Sequence, residues 1–175
     1  MCGVATYRFN YAGDCGSYCY YDEPHNVAIN GVGSNNGGYN TLELGQLLDG
    51  VKGGDDWTLN LGKGNAYEWV GWAGKTAEVD FKFPKARLTK LVRLGLDNYI
   101  SGGVYEPTQV DVLFSNDGVT WSTAQVYKLS DSTLPAILAG KRGDITLNFS
   151  AVTAQWLKVR FYNSSWTFLD EVAFD

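Results

Sequence analysis

Short segments in which apolar and polar residues alternate dominate the hydrophobic pattern of this chain. In AEVDFKF (77–83), TQVDVLFS (108–115) and WLKVRFY (156–162), apolar residues recur at every second position. Successive side chains of a β-strand point to opposite faces, so this period predicts strands with one buried face. Further strand candidates are VATYRFNYA (4–12), YEWVGW (67–72), LTKLVRLGL (88–96), WSTAQVYKL (121–129) and DITLNF (144–149).

Turn signals separate these segments. Asp117-Gly118 in SNDGVTW (115–121) lies between two strand patterns and predicts a β-hairpin, while INGVGSNNGGYN indicates a long loop. Only TLELGQLLDG (41–50) favours a helical turn or two. About eight short strands with little helix predict an all-β fold, a jelly-roll β-sandwich. A length of 175 residues is typical of one domain.

Composition supports this fold and excludes several partners. The chain has 21 glycines and is 14% aromatic, which suits turns and pleated surfaces. Its net charge of −5 argues against nucleic acid and against anionic membranes. No apolar run approaches the roughly 20 residues that cross a bilayer, so we expect no membrane insertion. The first residues, MCGVATYRFN, lack the pattern of a secretory signal; we nevertheless expect an extracellular or particle-surface location.

Signatures of catalysis are missing. His25 is the one histidine, which excludes HExxH, and no GxSxG occurs. The glycine run GVGSNNGG lacks the Lys-Ser/Thr of a phosphate loop. We therefore predict that the protein is not an enzyme.

Cys2, Cys15 and Cys19 all precede residue 20. Their odd number rules out complete intrachain pairing. A Cys15–Cys19 disulfide, a zinc site completed by His25, and plain thiols remain as alternatives, with the last favoured by the spacing.

Acidic residues supply the most informative candidate chemistry. Read as a strand, the closing WTFLDEVAFD (166–175) puts Asp170 on one face and Glu171 on the other, within an otherwise apolar run. Asp49 in LLDG and the pair Asp55-Asp56 in GGDDW lie among glycines. Calcium requires six to eight oxygens, often mixing carboxylates with main-chain carbonyls. The spacing alone leaves two interpretations open: a calcium site, or turn caps together with a Glu171 pair to Arg160 or Lys158.

The order of motifs resembles the discoidin, or coagulation-factor type C, domains, and most closely the galactose-binding-like family-32 carbohydrate-binding modules. The motifs that carry the resemblance are LLDG followed by Trp57, the hairpin YEPTQVDVLFSNDGVTW, and the Asp-Glu of FLDEVAF. It runs from about Leu47 to Phe174 and leaves residues 1–40 as a less typical N-terminal extension of a single domain spanning 1–175.

The resemblance implies a jelly-roll sandwich with a structural calcium ion (Ca²⁺). Carried over, Asp49, Asp55 and Glu171 would ligate through side chains. Main-chain oxygens of Gln46, Val51 and Asp170 would complete the shell. The stretch between Asp49 and Trp57 is longer and richer in glycine than in the family pattern, so Asp56 is an alternative to Asp55.

The resemblance also implies a glycan site in loops at one end of the sandwich, where an aromatic ring stacks on the sugar and polar groups bind its hydroxyls. The candidate ligand-binding residues are Asn98, Tyr99, Tyr105, Trp166 and His25. The arginine that is typical of the family near Asn98 is absent here.

These observations predict a non-catalytic, lectin-like module that binds a glycan or polysaccharide. The alternative is a structural, adhesive or decoration subunit of a phage, virion or extracellular filament. Tyr18, Tyr20 and Tyr21 lie beside the cysteines, and tyrosine is common in contact surfaces, so this segment is a candidate interface for a homo-oligomer or larger assembly.

Overall fold

A computed structural model describes residues 28–29, 38–39, 44–58, 68–74 and 76–175. The predictions for His25, the three cysteines, the tyrosine cluster and the strand at 4–12 lie outside these ranges. Within them the strands are β1 (Ala28–Ile29), β2 (Gly38–Tyr39), β3 (Val70–Ala73), β4 (Thr76–Asp97), β5 (Gln109–Ser115), β6 (Ser122–Lys128), β7 (Arg142–Tyr162) and β8 (Trp166–Phe174).

Two short 3-10 helices, Leu44–Leu48 and Ile100–Gly102, are the helices of the described ranges. The first coincides with the helical turn predicted within 41–50. Neither they nor any other described segment forms a helix of the length and apolarity that a membrane span requires.

The strands pair in the order β2-β3-β8-β4-β7-β5-β6, and β1 pairs with β4. Every pairing between strands is antiparallel. The prediction of an all-β protein is therefore confirmed.

Four predicted strands are merged into two long ones. Segments 77–83 and 88–96 both belong to β4, which has 22 residues, and segments 144–149 and 156–162 both belong to β7, which has 21. The β4–β7 register shifts between Lys82 and Arg87 and again between Thr89 and Leu91. Pro84, which cannot donate to a ladder, lies in the first gap, so the strands bend there without ending.

The core has two parts. The large cluster fills the sheet interior with alternating residues of the long strands, including Val79, Phe81, Leu157 and Val159. A second cluster consists of buried Trp69, Val104 and Phe168, against which Trp57, Tyr99 and Trp166 are packed while half-buried. This smaller cluster supports the candidate binding surface described below.

Candidate functional site

A β-bulge sets the direction of the two acids in β8. Gly95 of β4 lies opposite Glu171, but the next residue, Leu96, lies opposite Leu169, so Asp170 is the extra residue. Both carboxylates consequently reach the segment 49–57 instead of facing opposite ways as simple alternation predicts. Glu171 Oε2 accepts from the Gly50 N–H at 2.7 Å, and Asp170 Oδ2 accepts from the Gly53 N–H at 2.6 Å.

Arg142 neutralises Asp170. Its Nε donates to Asp170 Oδ2 and its Nη2 donates to Oδ1 at 3.0 Å, so the pair is bidentate. Asp170 is completely buried. Asp144 also contacts Arg142 Nη2, at 2.7 Å, and binds Lys52 at the surface. Arg142 is therefore the partner that the sequence pattern did not identify, because it lies 28 residues from Asp170 in the chain.

Among the described residues, no lysine or arginine forms a comparable ion pair with Glu171. Lys158 and Arg160, the partners suggested by the sequence, both donate to Glu78 instead. The predicted pairing of Glu171 with either residue is therefore wrong. Glu171 Oε1 is buried and receives no hydrogen bond from the described residues. Burial and the nearby Asp49 charge raise the pKa of Glu171 to about 9.

Asp49 lies near Glu171, and Glu68 in turn lies near Asp49. Burial raises the pKa of Asp49 to about 7, and the charges of Glu68 and Asp170 act in the same direction. Burial, followed by the charge of Asp170, also raises the pKa of Glu68. Sequence reasoning missed Glu68, because it stands at the start of an aromatic strand pattern with no acidic neighbour.

These residues fit a hard cation in part. The buried, unbonded Glu171 Oε1 and the nearby Asp49 offer oxygen donors, and the Arg142 charge that acts on Glu171 is already paired with Asp170. In the described ranges, however, no three or more Asp, Glu, His or Cys side chains form a group that could hold a metal. A cation here would therefore need main-chain oxygens for most of its shell.

The other predicted ligands have distinct surroundings. Asp55 is exposed; its carboxylate accepts from Lys141 Nζ at 2.8 Å and from the Arg142 N–H at 3.1 Å. The Val51 N–H donates to Asp49 Oδ1 at 2.8 Å and so folds the loop over this acid. Gln46 lies in the helix Leu44–Leu48, which contacts β8.

The segment 49–57 continues from the acids to the aromatic cluster. The Trp57 N–H lies 3.3 Å from Asp97 Oδ2, and the Trp57 ring stacks on Phe168 at 5.1 Å between centroids. Asp97 is completely buried, and this burial raises the pKa of its carboxyl to about 7. One loop thus spans both candidate sites.

Three of the predicted ligand-binding residues come together at one end of the sheet. The Tyr105 N–H donates to the Trp166 carbonyl at 2.9 Å, and the Trp166 N–H donates to the Gly103 carbonyl at 3.3 Å. The Val104 N–H donates to the Tyr99 carbonyl at 3.2 Å. We call Trp57, Tyr99, Tyr105 and Trp166 the aromatic platform. Tyr105 is 36% exposed and the other three are half-buried, so ring surface remains accessible.

Asn98 directly precedes Tyr99 of the platform and is buried. It is 6% exposed, and its Nδ2 donates to Glu106 Oε1 at 2.9 Å and to the Ile137 carbonyl at 2.7 Å. The Ile137 N–H also donates to Glu106 Oε1, at 2.8 Å. Asn98 and Glu106 therefore hold the platform loop against the segment around residue 137.

Comparison with known proteins identifies the class. The family model of the DS-like domain of discoidin domain-containing receptor 1/2 matches residues 25–175 of this chain. The chain belongs to this family. The resemblance inferred from the motifs is thereby confirmed.

Solved structures share the fold. CpGH89CBM32-6, produced by Clostridium perfringens, has a TM-score of 0.53 at 13% identity and covers 89% of this chain and 98% of its own. CpGH89CBM32-5, from the same organism, was solved in complex with GalNAc-beta-1,3-galactose. It has a TM-score of 0.52 at 11% identity, and the match covers 86% of this chain and 96% of that module. These matches to carbohydrate-binding modules show the jelly-roll fold, at a distance too great to carry over a ligand.

Proposed function

We propose that this protein is a non-catalytic carbohydrate-binding module whose glycan stacks on the aromatic platform. One observation carries the proposal: half-exposed aromatic rings form the outer layer of a separate hydrophobic cluster at one end of the sheet. A sugar has apolar C–H faces that stack on such rings, while its hydroxyls need polar partners at the rim. Rigid support from Phe168 and Trp69 reduces the entropy that is lost on binding.

The charges near the platform favour a neutral glycan. Glu106 and Asp56 lie in or beside its loops, and Lys141 is paired with Asp55. Within the described part of the chain, an acidic sugar would meet carboxylates there, while the nearby Lys141 is already paired with Asp55. We therefore expect neutral glycans to bind more tightly than those rich in uronic or sialic acid.

A glycan array followed by titration calorimetry tests this proposal. We expect Trp166→Ala to weaken binding of the best glycan at least about tenfold, which corresponds to about 1.4 kcal/mol of stacking energy. Trp166→Phe retains a ring against Phe168 and should keep most of the affinity. Thermal melts of both variants report folding. Equal binding by Trp166→Ala and the parent protein would exclude the platform as the site.

We further propose that a structural calcium ion is held by Asp49 and Glu171, with main-chain oxygens of Gln46, Val51 and Asp170. The supporting observations are the raised pKa values of half-buried Asp49 and buried Glu171, and the unbonded Glu171 Oε1. Asp55 remains a predicted ligand. Bound calcium would supply the positive charge that this acidic group lacks.

Thermal melting with and without a chelator tests the ion. We expect calcium to raise Tm by several degrees, since a ligand that binds only the folded state stabilises it by mass action. Glu171→Gln removes one charged ligand with little change of shape and should abolish the calcium response. Asp144→Asn, which removes a surface acid near Arg142, should keep it. A parent protein with identical melts in excess chelator and in millimolar calcium would contradict the proposal.

A further inference from the structure

A cavity of about 400 Å³ lies at the opposite end of β5 from the aromatic platform. The platform loop enters β5 at Gln109, whereas the cavity begins at Phe114 and Ser115. The seven residues of β5 span about 20 Å, so the two places are separate. The volume falls within the range of about 300–1,000 Å³ that is typical of small-molecule sites.

The cavity combines an apolar floor with a hydroxyl-rich rim. Phe114, Val152 and Ala154 provide the apolar surface. The polar residues that line it are Ser115, Asn116, Asp117, Thr120, Ser122 and Thr153. Among the described residues of the lining, Asp117 is the one charged side chain, and no lysine or arginine takes part.

The hairpin turn that forms one wall is fixed by its own bonds. Asp117 Oδ1 accepts from the Thr120 N–H at 2.7 Å, the Val119 N–H at 2.8 Å and Ser115 Oγ at 2.8 Å. These bonds, the Thr120 N–H first, hold the pKa of Asp117 below its ordinary value. The wall therefore carries a permanent negative charge at physiological pH.

The turn is also anchored to β7, which forms the other wall. Asn116 Oδ1 accepts from the Gln155 N–H at 3.3 Å. Gly118 has a φ of 73°, and a Cβ there would lie 3.0 Å from the Trp156 ring, so only glycine fits this close approach. Both walls of the cavity are thus preformed, which lowers the ordering cost of binding.

We propose that this cavity is a second binding site, specific for an uncharged, hydroxyl-rich ligand such as a neutral sugar unit. Ser122, Thr153 and Asn116 offer side chains that donate and accept hydrogen bonds, and the Asp117 carboxylate accepts from hydroxyls. The apolar floor receives the C–H face. Because the described lining adds no lysine or arginine to this carboxylate, it disfavours uronate and phosphate. The inference goes beyond the proposed platform site and does not depend on it.

Amide chemical-shift mapping of the full chain tests this second site. Glucose, galactose, mannose and N-acetylglucosamine are each titrated into the ¹⁵N-labelled protein, with glucuronate as the acidic comparison. We expect at least one neutral sugar to shift the amides of 115–122 and 152–154 saturably, with a Kd on the order of 1–10 mM. Glucuronate should leave these amides unchanged.

Two variants on adjacent residues make the test specific. Ser122→Arg introduces a long side chain at the cavity and should weaken the sugar at least about tenfold, whereas Thr123→Arg, on the next residue and outside the lining, should change affinity less than about twofold. Both positions are exposed, so folding should be retained. Thr153→Arg gives a second block from the opposite wall.

The outcomes separate this site from the platform. Shifts in 115–122 that persist in Trp166→Ala and disappear in Ser122→Arg support the second site, whatever happens at the platform. Shifts confined to residues 99–106 and 166 would overturn the second site and leave the platform proposal standing. The second site would also be overturned if no neutral sugar gave a saturable shift in the cavity or if glucuronate gave equal shifts. The same holds if neither Ser122→Arg nor Thr153→Arg weakened binding.

Discussion

The carboxylate of Asp97 is buried, and one of its oxygens accepts no hydrogen bond from the described residues. Its Oδ2 has the Trp57 N–H at 3.3 Å, but Oδ1 is buried without a hydrogen bond from the described part of the chain. Burial is the main cause of its raised pKa, the charge of Asp56 adds to it, and that of Asp170 does so more weakly. Between about pH 4 and pH 7, the folded protein therefore retains a proton on Asp97 that the unfolded chain releases.

Asp97→Asn should change the pH dependence of stability. The pKa rises from 3.8 to about 7 on folding, so the stability contributed by the protonated group is complete below about pH 4 and lost as pH rises through about 7. Asparagine stays neutral, so the variant should gain about 1–3 kcal/mol over the parent protein between about pH 5 and pH 8. Urea unfolding at both pH values measures this. Exposed Asp131→Asn is the control, and parallel curves for Asp97→Asn and the parent would contradict the prediction.

At the scale of elements, the bulge at Asp170 explains why β8 tolerates two adjacent acids. It turns Asp170 toward Arg142 and Glu171 toward Gly50. Gly95, opposite the bulge, leaves the space for the Arg142–Asp170 pair, because a Cβ there would overlap Asp170 Oδ1 and Arg142 Nη2. The glycine is thus a condition for the ion pair.

Gly95→Ala should therefore be severely destabilising. The added methyl group must displace a buried, bidentate ion pair, and breaking such a pair costs about 3–5 kcal/mol. Gly54→Ala is the matched control, because a Cβ at Gly54 meets nothing within 4 Å; we expect a change below about 1 kcal/mol. Urea unfolding compares the two, and equal midpoints would show that β4 moves aside at no cost.

Period-two patterning predicted strands such as 77–83 and 156–162, where apolar residues at every second position face the core. The expectation of one buried face is wrong for 108–115, because nearly every residue of β5 is buried, as in β8. The sequence could not predict that four of these segments merge into β4 and β7, because Pro84 and polar residues interrupt the alternating pattern where the strands bend. The bulge at Asp170 could not be predicted from the sequence either, because the alternating pattern assumes that each residue of one strand pairs with one residue of the next. The proximity of Asp49 to Glu171 was predicted from the family resemblance, whereas the spacing of the acids in the sequence did not decide it.

At the scale of the whole molecule, residues 49–57 connect the proposed calcium site to the aromatic platform. The same segment donates to Glu171 from Gly50, to Asp170 from Gly53 and to Asp97 from Trp57. Its last aromatic ring, that of Trp57, stacks on Phe168, whose ring centroid is 5.7 Å from that of Trp166. An ion that orders the beginning of this segment would consequently order the platform at its end.

Calcium and glycan binding should accordingly strengthen each other. We expect the glycan Kd, measured by calorimetry, to increase about 3–10-fold in excess chelator, which is a coupling of about 1 kcal/mol. Linkage requires the glycan to tighten calcium binding by the same factor, so titrating calcium with and without glycan gives an independent value. In Glu171→Gln the glycan affinity should be weak and indifferent to chelator. If the parent protein binds glycan equally with and without calcium, the segment 49–57 holds its conformation through Asp97, Asp170 and Phe168 alone.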